Sequence, residues 1–170
     1  MRWITHQGVA VMAAIALGMP APAVVATWAG AILPDVMDQK IAAWAFRNKQ
    51  TGFNRVHRGA THWFGLWLGI WLGALFIGVP EGFLGVAAEA WHGMLAGLGF
   101  GGLTHVLLDM CTPVGVPLVP WSRKNKVSLK LCKTGSWGEY AFLGGSFLLF
   151  LIFFQQEAWL LWYIVSKKVL

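Results

Sequence analysis

Charge is scarce in this chain. Only 12% of its 170 residues are Asp, Glu, Lys or Arg, against about a quarter in soluble domains. The acidic side chains number 7, and tyrosine and cysteine appear twice each. So little charge excludes an ordinary cytosolic enzyme, and it excludes a disordered chain, which needs charge to stay solvated. Cys111 and Cys132 fall on or beside segments expected in the cytoplasm, so they are read as free thiols in a reducing compartment.

Apolar residues are abundant. They make up 57% of the chain, with mean hydropathy +0.60, 21 glycines and 11 tryptophans. Glycine packs helix against helix in lipid, and tryptophan collects at the membrane–water interface. The composition predicts an all-α, polytopic transmembrane bundle of four to five short spans, forming a single integral membrane domain over residues 1–170. The lipid bilayer is its first partner.

The net charge of +6 could suggest nucleic acid, but its placement argues against direct contact. The cations fall mostly in two runs, Lys40, Arg47, Lys49, Arg55, Arg58 and Arg123, Lys124, Lys126, Lys130, Lys133. Short basic loops flanking apolar segments stay inside, so both loops are expected to be cytoplasmic.

Between the basic runs, Thr61–Val79 carries no charge and has about the 20 apolar residues that a bilayer requires. Pro80-Glu81-Gly82 suits an outer turn, and Phe83–Met110 leads back to the second basic loop. Gly65, Gly69 and Gly73 recur every fourth residue, as do Gly93, Gly97 and Gly101. These rows predict close packing of the two hairpin helices on each other. Gly8–Leu33 is interrupted at Pro20-Ala21-Pro22, so it reads as one kinked span, as two short helices returning to one side, or as a signal peptide with Arg2 ahead of the apolar core and a Val24-Val25-Ala26 cleavage site. The segment from Gly138 is apolar to Phe154, and a short span is expected to end at Gln155-Gln156-Glu157. The Pro113, Pro117 and Pro120 segment reads as an irregular interfacial lip.

On this map the ionisable residues converge. His57 and His62 open the first hairpin helix, His105 and Asp109 close the second, and Asp35 and Asp38 enter the first basic loop. His6 joins them if the N-terminal segment folds back. His105 and Asp109, four residues apart, share a helix face. Imidazoles with carboxylates suit a divalent metal, zinc by preference, manganese or iron where carboxylates and water dominate. A catalytic metal also lowers the pKa of bound water. His92, thirteen residues before His105, is about 20 Å away along a helix and is assigned no role.

These motifs resemble a known family. His57-Arg58-Gly59-Ala60-Thr61-His62 looks like its HRGxTH motif, and His105–Asp109 like its HxxxD. Thr112–Leu118 is similar to its TPxGxPL stretch, and Leu33-Pro34-Asp35 to its LPD. The family is the bacterial inner-membrane metal-dependent hydrolases, also called LexA-binding, inner-membrane-associated hydrolases. The resemblance implies a multi-pass inner-membrane bundle with a metal-dependent hydrolase site at the cytoplasmic face. Its metal ligands would be His6, Asp35, His57, His62, His105 and Asp109. The family's LPDxDH pattern is broken here, because Asp38 comes one residue late and Gln39 replaces the histidine.

Arg58, inside the first motif, could grip a phosphate in bidentate fashion. Glu139, at the start of the last span, is a candidate base or an orienting partner. The expected activity is hydrolysis of a small-molecule or lipid phosphoester. Two alternatives stand beside it: a membrane scaffold or regulator that holds metal without catalysis, and a metal or proton transporter. Transport would need polar groups at several depths, and the hairpin has almost none between His62 and Glu81.

Overall fold

A computed structural model describes the backbone of residues 1–74, 76, 82–85 and 87–169, with the side chains of all these except 84, 123 and 156–169. The N-terminal segment forms two helices, α1 (Trp3–Ala16) and α2 (Ala21–Gly30). Gly18 turns the chain at φ +66°. Pro20 then caps α2 and Pro22 lies in its first turn, where a missing N–H leaves no intrahelical bond unmade. The two prolines therefore start a second helix and do not kink a single span. As a result His6 and Asp35 lie at one end of the bundle.

α3 (Leu33–Ala45) and α4 (Lys49–Val56) pack on each other and carry Lys40, Lys49 and Arg55 of the first basic run. Asn48 caps α4, its side chain accepting from the Thr51 N–H at 3.0 Å. A 3₁₀ turn, Ala60–His62, leads into α5 (Phe64–Gly73). The expected span from Thr61 thus starts later, with His62 in the turn ahead of the helix. Its far end at Val79 and the Pro80-Glu81 turn lie outside the described residues. After a second 3₁₀ turn at Phe83–Gly85 comes α6 (Ala88–Met110), the central helix, against which α1, α2 and α5 all pack.

Glycine does bring helices together, though not as the four-residue rows predicted. A Cβ on Gly97 would lie 2.2 Å from the Ala23 carbonyl oxygen, and one on Gly101 2.3 Å from that of Thr27. Both contacts belong to the α2–α6 seam, where Gly30 likewise meets Leu98. The α5 face of α6 uses Gly99 and Gly102, against the Trp71 backbone and the Trp67 ring. Gly69 and Gly73 face open space, with no atom within 4 Å of an added Cβ. The three-residue offset turns Gly99 and Gly102 onto a different face of α6 from the row at 93, 97 and 101.

The proline segment is more regular than expected, and it corrects a strictly all-α fold. β1 (Val116–Val119) and β2 (Ser122–Val127) form an antiparallel hairpin, pairing Val116 with Val127 and Pro117 with Lys126. Gly115, at φ +66°, turns the chain into it. Trp63 Nε1 donates to the Leu118 carbonyl at 3.0 Å and ties the hairpin to the start of α5. α7 (Trp137–Val169) kinks at Phe154, immediately before the polar triplet, and continues as helix. Two helices are long and apolar enough to cross a membrane, Ala88–Met110 and Trp137–Gln155, while α1, α2 and α5 are shorter apolar helices. Trp67, Leu103, Val106 and Val116 form a core cluster, and the Trp67 indole donates to the Thr61 carbonyl at 2.7 Å, next to His62.

Candidate metal centre

At the end of the bundle shared by α1, α3, α6 and the 3₁₀ turn, ionisable side chains gather, most of them out of contact with solvent. His6, His62 and His105 are fully buried, and Asp38 and Asp109 are each 1% exposed. Burying this many polar groups is costly unless they satisfy one another or hold an ion.

The geometry begins with His105. Its Nδ1 lies 2.6 Å from the Ala31 carbonyl oxygen. A carbonyl only accepts, so this nitrogen carries the proton and leaves Nε2 as a bare lone pair. His62 is held the same way, with Nδ1 3.4 Å from Asp38 Oδ2 and 3.1 Å from Thr61 Oγ1. Its Nε2 then faces His105 Nε2 at 3.2 Å. Carboxylates flank this imidazole pair. Asp35 Oδ1 lies 3.4 Å from His62 Nε2 and 3.7 Å from His105 Nε2. Asp109 Oδ2 lies 3.7 and 3.9 Å from the same two nitrogens.

A second rank surrounds these four. His6 stacks on His105, with centroids 3.8 Å apart, and its Nε2 is 3.4 Å from Asp109 Oδ1. The Met1 ammonium lies 2.5 Å from that same oxygen. His57 Nδ1 sits 3.2 Å from Asp38 Oδ2 and 3.5 Å from Asp35 Oδ1, and its side chain, 28% exposed, is the most open of the cluster. Three overlapping triads could each hold an ion: His6, His105, Asp109; Asp35, His62, His105; and Asp38, His57, His62. Burial pushes the Asp35 carboxyl up, but in acid, where the facing imidazoles of His62, His105 and His57 take up protons, their positive charge outweighs it. The net effect holds Asp35 well below the ordinary carboxylate range, so it is an anion at neutral pH.

All six residues expected as ligands meet here. Asp38, left doubtful by the broken motif, meets them too. It accepts from the Arg58 N–H at 3.1 Å and from the Thr61 hydroxyl, besides facing two imidazoles. A sequence signal existed, since Asp35 and Asp38 are three apart on α3 and share a face. The backbone carbonyl of Ala31 and the indole of Trp3, which donates to Asp35 Oδ2 at 3.0 Å, carry no signature of their own. His92 lies in the far half of α6, away from the cluster.

Arg58 is buried against the centre, with Nε 2.9 Å from Asp109 Oδ2 and Nη1 donating to Thr112 Oγ1 at 2.7 Å. Its backbone is left-handed, at φ +56°. That is costly for a side chain of this size, and such strain collects at functional sites. Glu139 is fully buried but turns elsewhere. Its carboxylate accepts from the Arg2 N–H, from Thr5 Oγ1 at 2.8 Å and from the Gly135 N–H. It clasps the start of α1 to the start of α7.

A family model described as YdjM inner membrane protein matches residues 1–167. The chain belongs to the YdjM inner membrane protein family. This bears out the family expected from the motifs and makes the chain an inner-membrane protein. Two relatives are named inner membrane protein YdjM, from Escherichia coli strain K12 and Shigella flexneri. Each is 43% identical over 63 residues, covering 37% of this chain and 29% of the relative's own length. The matched stretch is thus under a third of those YdjM proteins. No solved structure matches the chain.

Proposed function

We propose that the chain is a membrane-bound metal-dependent hydrolase acting on a phosphoester or lipid head group at the cytoplasmic face. One observation carries the reading: the Nε2 atoms of His62 and His105 converge with one oxygen each of Asp35 and Asp109, and with both Nδ1 atoms as donors all four are acceptors. Four acceptors in that arrangement repel one another unless a cation sits between them. A tetrahedral ion with bonds of about 2.0–2.1 Å holds its ligand atoms about 3.4 Å apart. The five separations among these atoms given above run from 3.2 to 3.9 Å. Asp35 Oδ1 and both ring nitrogens of His6 are buried without a hydrogen bond, as expected of groups set for an ion.

His62, His105, Asp35 and Asp109 would hold the metal, with His6 and His57 alongside; zinc fits best, and manganese or iron also suits the donors. A divalent ion there would polarise a phosphoryl oxygen and make bound water more acidic. The protein's own part is positional. Asp38 and the Ala31 carbonyl fix the two imidazole tautomers, a role whose loss costs about 10–100-fold in metal affinity elsewhere. Arg58 brings positive charge against Asp109, where it can steady an anionic substrate. His57 is placed to exchange protons with solvent. Glu139, bonded away from the cluster, serves as a positioning residue for α1.

The test is hydrolysis of a chromogenic phosphodiester and of phosphatidylglycerol by protein reconstituted with zinc or manganese. The reading expects turnover that His105→Ala abolishes. Stoichiometric metal with no turnover on any phosphoester would leave the metal-holding scaffold instead.

A further inference from the structure

A groove of about 700 Å³ runs down the outside of α1 on the side away from His6. Ile4, Gly8, Val11 and Met12 form its floor, with Trp28 of α2 on one wall and Tyr140, Leu143 and Phe147 of α7 on the other. Nearly all of this lining is apolar. From Ile4 to Met12 it climbs about 12 Å at 1.5 Å per residue. That is most of the roughly 15 Å of hydrocarbon in one leaflet. It begins at the bundle end that carries the metal centre.

The mouth differs from the walls. Arg2 is solvent-exposed there, and its guanidinium donates to the Tyr140 hydroxyl and lies 5.4 Å from that ring's centroid. Trp3, between Arg2 and Ile4, is 43% exposed, yet its Nε1 reaches Asp35 of the ligand cluster. A cation bonded to Tyr140 at the groove's end, with an apolar trough beside it, matches an anionic lipid: phosphate at Arg2, acyl chain along α1.

We infer that this groove seats one acyl chain of an anionic diacyl phospholipid, with the headgroup phosphate at Arg2. As a substrate site it rests on the hydrolase reading above; as a lipid site it rests on the groove and the charge at its mouth.

Gly144 offers a clean probe, because it lines the groove and no atom lies within 4 Å of its added Cβ. Dioleoyl phosphatidylglycerol and dioleoyl phosphatidylethanolamine are offered to the full chain in mild detergent, and retained lipid is counted by native mass spectrometry alongside metal content. The wild type should keep one phosphatidylglycerol per chain in preference to the zwitterionic lipid. Gly144→Leu should reduce retention at least tenfold, and Arg2→Gln should erase the preference for the anion, both at unchanged metal content. Equal retention by Gly144→Leu, or a wild-type dimer without lipid that Gly144→Leu dissociates, would overturn the inference. Retention reads binding alone, so a chain that cleaves no phosphoester would lose the hydrolase reading while the lipid site stood.

Discussion

Asp38 shows how much of the cluster depends on a residue that orients its neighbours from behind. It orients His62 and His57 and also satisfies the Arg58 N–H and the Thr61 hydroxyl. Replacing it with alanine strands buried donors, each worth about 1–3 kcal/mol. Asp38→Ala should therefore lower the thermal midpoint in detergent and weaken metal binding about 10–100-fold, measured by competition with a fluorescent chelator. Unchanged affinity would mean that the His62 ring is held by something else. The thiols make a second prediction at this scale. Burial pushes both Cys111 and Cys132 up from the ordinary thiol range. The fold thus favours the protonated thiol, an advantage present below the unfolded value of about 8.5 and lost as pH rises through the folded one. Alkylation by iodoacetamide at pH 8 should run slower than for a free cysteine and catch up only in more alkaline solution.

Among the helices, the α2–α6 seam is the contact that sets the site. It brings Ala31 to His105 and carries the chain on to Asp35. Gly97→Ala would press a methyl group against the Ala23 backbone, which cannot yield as a flexible side chain would. Overpacking of this kind costs about 1–3 kcal/mol, and it should loosen metal binding as well. Gly69→Ala, on a face with nothing near it, should be neutral or stabilising by about 0.5–1 kcal/mol. Comparing the two midpoints in detergent checks the assignment, and an equal loss in both would contradict it. The glycine rows were visible as spacing, but spacing does not name the partner helix. That choice lay with Gly99 and Gly102, whose three-residue offset looked unremarkable beside the two regular rows. The proline pair at 20 and 22 left a kink and a second helix equally open; the turn at Gly18 decided between them. The β-hairpin was hidden because its strands are short, basic and proline-bearing, the reverse of a typical strand signal.

For the whole molecule, four stretches far apart in sequence deliver their imidazoles and carboxylates to one end of an apolar bundle. The clustered residues were legible because ionisable groups stand out in so uncharged a chain, and because His105 and Asp109 share a helix face. Their mutual geometry was not, since it depends on a 3₁₀ turn, a strained Arg58 and a backbone carbonyl that no motif records. Binding an ion only in the folded state stabilises that state by mass action, about 2.7 kcal/mol at a hundredfold excess over the dissociation constant. Stripping the protein with a chelator should therefore lower its thermal midpoint, and zinc should restore it. A midpoint indifferent to both would argue that the cluster is held by hydrogen bonds alone. The most direct measurement is elemental analysis of the purified protein beside three variants. A divalent ion in near-stoichiometric amount is expected in the wild type and in His92→Ala, and its loss in both His62→Ala and His105→Ala. A metal-free wild type, or full occupancy in the two site variants, would contradict the metal centre.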